Sequence, residues 1–76
     1  MTKRIECLDV VTLIVDLPER NLWRGQVGTI VACLAPGVFE VEFSDNTGVA
    51  YAMLTLKESQ LMPLIFAPVA SLLQMA

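Results

Sequence analysis

Histidine is absent from this chain of 76 residues. Without an imidazole, no ordinary general base is available to activate a serine or threonine hydroxyl, so Ser-His catalysis is excluded. The two cysteines, Cys7 and Cys33, supply too few nitrogen or sulfur ligands for a structural zinc site. We therefore expect a protein that is not an enzyme and that binds no metal or other cofactor.

The chain also lacks a recognisable export signal. Lys3 and Arg4 resemble a basic leader, but Asp9 interrupts the apolar stretch that follows, and no small-residue cleavage site comes after it. The sequence therefore predicts a cytoplasmic protein. A disulfide would be reduced in that compartment, so both cysteines are interpreted as small buried apolar residues in strands.

A membrane-spanning segment is not predicted either. The longest uncharged stretch, residues 59–76, is only just long enough to cross a bilayer, and Pro63 and Pro68 interrupt it. We therefore expect no insertion into a membrane.

The chain has few charged residues, and fewer of them are basic than acidic. Only 17% of residues are charged, and five basic residues against eight acidic ones give a formal net charge of -3. This balance opposes the phosphate contacts that supply most non-specific affinity for nucleic acid. Hydrophobic residues reach 55%, more than one small core needs, so the composition indicates an interface. Because short chains are marginally stable, oligomerisation is the expected supplement to the core.

The sequence contains several short segments whose hydrophobic patterns predict β-strands. Strict alternation over residues 38–43 places Phe39, Val41 and Phe43 on a core face. Ala35-Pro36-Gly37 predicts the turn before this strand. The other predicted strands are residues 9–16, 26–33, 49–56 and 61–64, with a single polar turn at 57–60.

Two glycines mark the start of the second strand. Gly25 and Gly28 permit a positive φ, a bulge or a close backbone approach that a Cβ would block. A bulge here would let one strand serve two orthogonal sheets. The sequence therefore predicts an all-β fold, a small SH3-like five-stranded barrel over residues 1–64, followed by an apolar tail over residues 65–76.

The strand sequences also carry a family resemblance. The matching runs are Asp9-Val10-Val11, Asp16-Leu17-Pro18, Leu22 with residues 24–31, residues 40–43, Tyr51-Ala52, and residues 54–56 through Leu61. Over residues 8–64 the chain resembles a family of short bacterial and cyanobacterial proteins known only as a domain of unknown function. The resemblance implies an SH3-like fold and brings no activity, catalytic residue or cofactor. Over one strand, the chain also resembles the KOW element of ribosomal and transcription-factor barrels.

The tail departs from that family, whose members end near Leu64. Val69, Leu72, Leu73 and Met75 fall at helical spacing behind Pro68, which favours the first turn of a helix. The pattern predicts a short apolar helix or extension. Two interpretations of this tail are open. In the first, the tail docks on a neighbouring subunit or on a partner protein; in the second, it packs on its own barrel.

A second candidate surface contains Trp23 beside Arg24, because tryptophan and arginine are enriched among interface hot spots. In the alternative interpretation, Trp23 covers the open end of the barrel. The complete set of candidate interaction residues is Trp23, Arg24, Tyr51, Ile65, Phe66, Val69, Leu72, Leu73 and Met75.

Three hypotheses for function follow. The first is a non-enzymatic protein-interaction module that forms a homo-oligomer through its tail. The second is an RNA-associated or translation-associated module, suggested by the KOW-like strand and the basic residues Lys3, Arg4, Arg20, Arg24 and Lys57, although the acidic balance disfavours nucleic acid as a partner. The third is an accessory subunit whose tail occupies a groove on a larger enzyme.

Overall fold

The computed structural model describes residues 4–65, and these residues form an all-β domain. The elements in chain order are strand β1 (Val10–Leu13), a 3-10 turn (Pro18–Arg20), strands β2 (Val27–Ala35), β3 (Val38–Ser44) and β4 (Ala50–Lys57), a second 3-10 turn (Glu58–Gln60), and strand β5 (Leu61–Pro63). The described part of the chain contains no α-helix. The helix predicted for the tail, with Phe66, Val69, Leu72, Leu73 and Met75, lies outside it.

The five strands form one antiparallel sheet in the order β4-β3-β2-β1-β5. Hairpins connect β2 to β3 and β3 to β4, so these three strands form a meander. The first strand lies between the second and the fifth, with Val11 opposite both Gly28 and Pro63. Within residues 4–65, β4 and β5 are the two edges and do not pair, so the sheet is not closed.

Alternation in β3 builds the centre of the core, as predicted. Phe39, Val41 and Phe43 are buried, whereas Glu40 and Glu42 lie on the other face. The same alternation in β4 buries Leu54 and Leu56. The remaining buried apolar residues are Ile5, Val11, Leu13, Leu22, Ile30 and Leu61.

The two glycines at the start of β2 have different roles. Gly25 has a φ of +97°, which L side chains rarely adopt. A Cβ on Gly28 would lie 2.8 Å from Val41 Cγ1 and 3.0 Å from the Glu42 carbonyl oxygen, so this glycine permits a close approach of β2 to β3. The prediction of a bulge at Gly25 to Gly28 is wrong, because the register shifts of β2 come later, between Ile30 and Ala32 and between Cys33 and Ala35.

The first strand is shorter than predicted. Its ladder ends at Leu13, and the chain then bends, with the Ile14 amide donating to the Gln60 carbonyl at 3.0 Å. The other predicted strands agree with the structure to within two residues, including the polar turn before β5.

The interpretation of the cysteines as buried residues is wrong. Cys7 lies in the turn before β1 and Cys33 in the irregular end of β2, and both are exposed. A disulfide joins them, with their Cα atoms 5.9 Å apart. Cys33 lies between the two register shifts, opposite Phe39 and close to the end of β2.

Within residues 4–65, no helix is long and apolar enough to cross a membrane.

Candidate functional site

The loop between β1 and β2 is anchored to the core by a leucine pair. Leu17 and Leu22 form an isolated antiparallel bridge, with the Leu17 amide donating to the Leu22 carbonyl at 2.8 Å and the reverse bond at 3.1 Å. Asn21 takes a left-handed conformation with a φ of +57°, which closes the 3-10 turn that starts at Pro18. Because Leu22 is buried, the residue after it emerges at a fixed point on the surface.

That next residue is Trp23, which is 49% exposed. Two backbone contacts hold the residues after it. The Arg24 amide donates to the Asp16 carboxylate at 2.8 Å, and the Gly25 amide donates to the Leu13 carbonyl at 2.8 Å. Asp16 therefore binds the loop backbone.

Gln26 joins this loop to β4. Its side-chain oxygen accepts a hydrogen bond from the Trp23 amide at 2.5 Å, and its side-chain nitrogen donates to the Tyr51 hydroxyl at 3.0 Å. Its carbonyl accepts from the Leu13 amide at 2.9 Å and from the Thr12 hydroxyl at 3.0 Å. The Gln26 side chain thus links the backbone of Trp23 to the hydroxyl of Tyr51.

Tyr51 is fixed at its ring as well as at its hydroxyl. The ring is tilted by 43° to the buried ring of Phe43, with the centroids 6.5 Å apart, and half of the residue remains exposed. We call Trp23, Arg24, Gln26 and Tyr51 the aromatic surface. Sequence analysis missed Gln26, because a lone glutamine before a strand has no pattern that separates it from an ordinary solvated residue.

Ile65 lies away from the aromatic surface. The Leu64 amide donates to the Val10 carbonyl at 2.9 Å, so the last described residues lie near the start of β1. The loop carrying Trp23 contacts the other end of this strand at Leu13. Of the predicted interaction residues, the structure therefore brings Trp23, Arg24 and Tyr51 together and separates them from Ile65, which is 62% exposed.

A cleft of about 660 Å³ lies at the far end of β2 from the aromatic surface. Its walls include the buried apolar residues Ile5 and Phe39, the disulfide residue Cys33, and the charged residues Arg4 and Glu58. The Glu58 amide donates to the Gly37 carbonyl at 2.8 Å and so fixes the second 3-10 turn against the β2–β3 hairpin.

The described residues contain no group of three or more histidine, cysteine, aspartate or glutamate side chains placed to hold a metal ion. Asp45 lies in the β3–β4 loop, directly after Ser44. Hydrogen bonds from the Thr47 hydroxyl and then from the Val49 and Thr47 amides hold the pKa of this carboxyl below its ordinary value. Asp45 therefore stays ionised and shapes the hairpin.

These observations define a small all-β protein, built on an open five-stranded antiparallel sheet, with an aromatic surface at one end. The chain belongs to the family described as a domain of unknown function, DUF4926, whose match covers residues 7–63. Neither the curated proteins nor the solved structures gave a match.

Proposed function

We propose that this protein is a non-enzymatic interaction module that self-associates through its apolar tail, residues 65–76. The observation that carries the proposal is the exposure of Ile65, the first residue of the tail. Ile65 is 62% exposed, two residues after the edge strand β5. The residues that follow it in the sequence include no charged side chain. A second copy would remove this apolar surface from water, which is the main driving force of protein association.

We infer that the sheet belongs to an SH3-like barrel. Three observations support this inference: the strands are short, β2 to β4 form a meander, and a single 3-10 turn precedes the fifth strand. The register shifts in β2 support it further, because bulges are the usual means by which one strand bends to serve two sheets.

The aromatic surface is the second proposed contact of the module. Trp23 and Tyr51 are each about half exposed, and Gln26 binds the Trp23 backbone amide and the Tyr51 hydroxyl. A tyrosine side chain held at its hydroxyl loses little conformational entropy on binding, which favours its use as an anchor. Arg24 adds a cation beside them. These features suit a protein partner. In the accessory-subunit alternative, the tail would occupy a groove on a larger enzyme.

The RNA-associated alternative gains no support from the positions of the basic residues. Arg20 and Arg24 lie in the loop before β2, whereas Lys57 ends β4, opposite Val38 at the other end of the sheet. Charges this far apart do not make the continuous basic stripe that tracks a phosphate backbone.

The test is the solution mass of the full chain beside a truncation that ends at Leu64, measured by light scattering over a concentration series. Circular dichroism verifies that the truncation keeps its β structure. We expect an oligomer that becomes a folded monomer on truncation. An oligomer of unchanged mass after truncation would contradict the role of the tail, and a monomeric full chain would contradict self-association itself.

A further inference from the structure

We propose that strand β4 pairs with β4 of a second copy in antiparallel orientation, with Met53 opposite Met53, so that one sheet continues across the dimer. The inference rests on the proposed self-association and adds a second contact, which is too weak to hold two copies together once the tail is removed.

The two edges of the sheet differ in their capacity to pair. Within residues 4–65, β4 pairs with β3 alone, and its eight residues leave the other side of the strand open. An open edge presents unpaired amide and carbonyl groups, which is the usual template for adding another strand. The opposite edge, β5, has three residues and ends at Pro63, which has no amide hydrogen to donate. The β4 edge is therefore the one that can extend the sheet.

The side chains of β4 do not protect this edge. It contains no proline, and Lys57 is its one charged residue, placed at its end. Natural sheets protect edges with prolines, with charges within the strand, with very short strands or with bulges. Of these devices β4 has one, a register shift against β3 at Tyr51, and residues 52–56 after it are regularly paired and contain no proline and no charge. Tyr51 and Met53 are each 50% exposed.

The pattern of β4 is complementary to itself in one orientation. The exposed row Tyr51, Met53 and Thr55 is centred on Met53, so antiparallel pairing about that residue places Tyr51 of each copy opposite Thr55 of the other. Aromatic and β-branched cross-strand pairs of this kind stabilise sheets. The Thr55 hydroxyl already donates to the Glu40 carboxylate at 3.3 Å, which holds this carboxylate over β3, one strand away from the seam.

Charge favours the same orientation. Antiparallel pairing about Met53 places Lys57 of one copy opposite Val49 of the other. The Val49 amide donates to the Asp45 carboxylate at 3.0 Å, so an ionised carboxylate lies beside that position. Parallel pairing would instead bring the two Lys57 ammonium groups together, and like charges directly opposite each other destabilise a sheet.

The experiment uses the full chain with Met53→Lys, with Met53→Glu, and with an equimolar mixture of the two variants. The matched control is Val27→Lys, which places the same charge at an exposed position of the central strand β2. Sedimentation equilibrium over a concentration series gives the dimer Kd, and circular dichroism verifies the fold of each variant. We expect each Met53 variant alone to dimerise about tenfold more weakly than the wild type. The mixture should recover dimerisation, because opposite charges then meet at the seam, and Val27→Lys should leave the Kd unchanged.

Dimerisation of the Met53 variants that equals that of the wild type would overturn the proposal, as would a mixture that stays as weak as its components. A tail variant, Leu72→Glu with Leu73→Glu, separates this inference from the proposed function. If the tail variant alone has a lower solution mass than the wild type, the pairing of β4 with β4 is overturned and the role of the tail is retained. If the Met53 variants alone have a lower solution mass than the wild type, the pairing of β4 with β4 is supported and the role of the tail is overturned.

Discussion

At the scale of single residues, Gln26 links the two halves of the aromatic surface. Its side chain binds the Trp23 backbone and the Tyr51 hydroxyl, and its own backbone binds β1. The hydrogen bond to Tyr51 does not follow from a sequence pattern, because only the folded sheet brings this residue of β4 close to Gln26. By contrast, the hydrogen bond from the Glu6 amide to the Asp9 carboxylate is predictable, since a short carboxylate in a turn accepts backbone amides locally.

Replacing Gln26 should release Trp23. For Gln26→Ala we expect stronger acrylamide quenching of the fluorescence of the single tryptophan, and a loss of about 1 kcal/mol in the free energy of unfolding. Tyr51→Phe is the control, because it removes one bond to Gln26 and leaves the bond to the Trp23 backbone in place. Equal quenching in Gln26→Ala and the wild type would show that this glutamine does not position the tryptophan.

The substitution Gly28→Ala tests whether the close approach of β2 to β3 requires a glycine at this position. A Cβ there would meet Val41 Cγ1 at 2.8 Å and Phe43 Cδ1 at 3.0 Å, inside the core. We expect Gly28→Ala to lower the free energy of unfolding by about 1–3 kcal/mol, as overpacked cores do. Urea denaturation measures the change. Thr29→Ala, the next residue and on the outer face, should cost less, and the reverse order would contradict the account of Gly28.

At the scale of elements, the strands with strict alternation were the predictable ones. In β3 and in residues 52–57 of β4, the period of two assigns each side chain to a face, and the structure places them accordingly. The register shifts twice in β2 and once at the start of β4. Periodicity in one strand cannot locate such a shift, because the position of the extra residue depends on the partner strand. The pairing of Cys33 with Phe39 comes after the first shift in β2, so the sequence pattern alone could not place this cysteine.

The disulfide is expected to hold the segment before β1. Cys7 is tied to β2 across a sequence separation of 26 residues, and Ile5 in the same segment packs in the core. Closing a loop of this size stabilises a protein by about 3 kcal/mol in the chain-entropy treatment. We expect reduction to lower the free energy of unfolding by up to that amount, and to increase amide exchange in residues 4–9.

The double variant Cys7→Ser with Cys33→Ser is the matched control for the chemical reductant. It should match the reduced wild type in both stability and exchange. If reduced and oxidised wild type exchange alike in residues 4–9, the disulfide does not hold this segment.

At the scale of the whole molecule, self-association should raise thermal stability. A partner that binds only the folded state shifts the midpoint of unfolding upward with concentration. We expect the Tm of the full chain to rise over about a hundredfold increase in protein concentration, as measured by differential scanning fluorimetry. The tail variant Leu72→Glu with Leu73→Glu should show a smaller rise. A Tm that is independent of concentration in the full chain would contradict the oligomer.

The position of β1 between β2 and β5 also determines when the sheet can be completed. The meander of β2 to β4 joins neighbouring segments, so its loops close at low entropic cost. The pairing of Val11 with Pro63 joins nearly opposite ends of the described chain. Contacts between distant segments form slowly, because a large loop must close before they contribute any stability. During synthesis, β1 is made first and yet acquires its second neighbour last, so its apolar residues remain only partly covered until Leu61–Pro63 has left the ribosome.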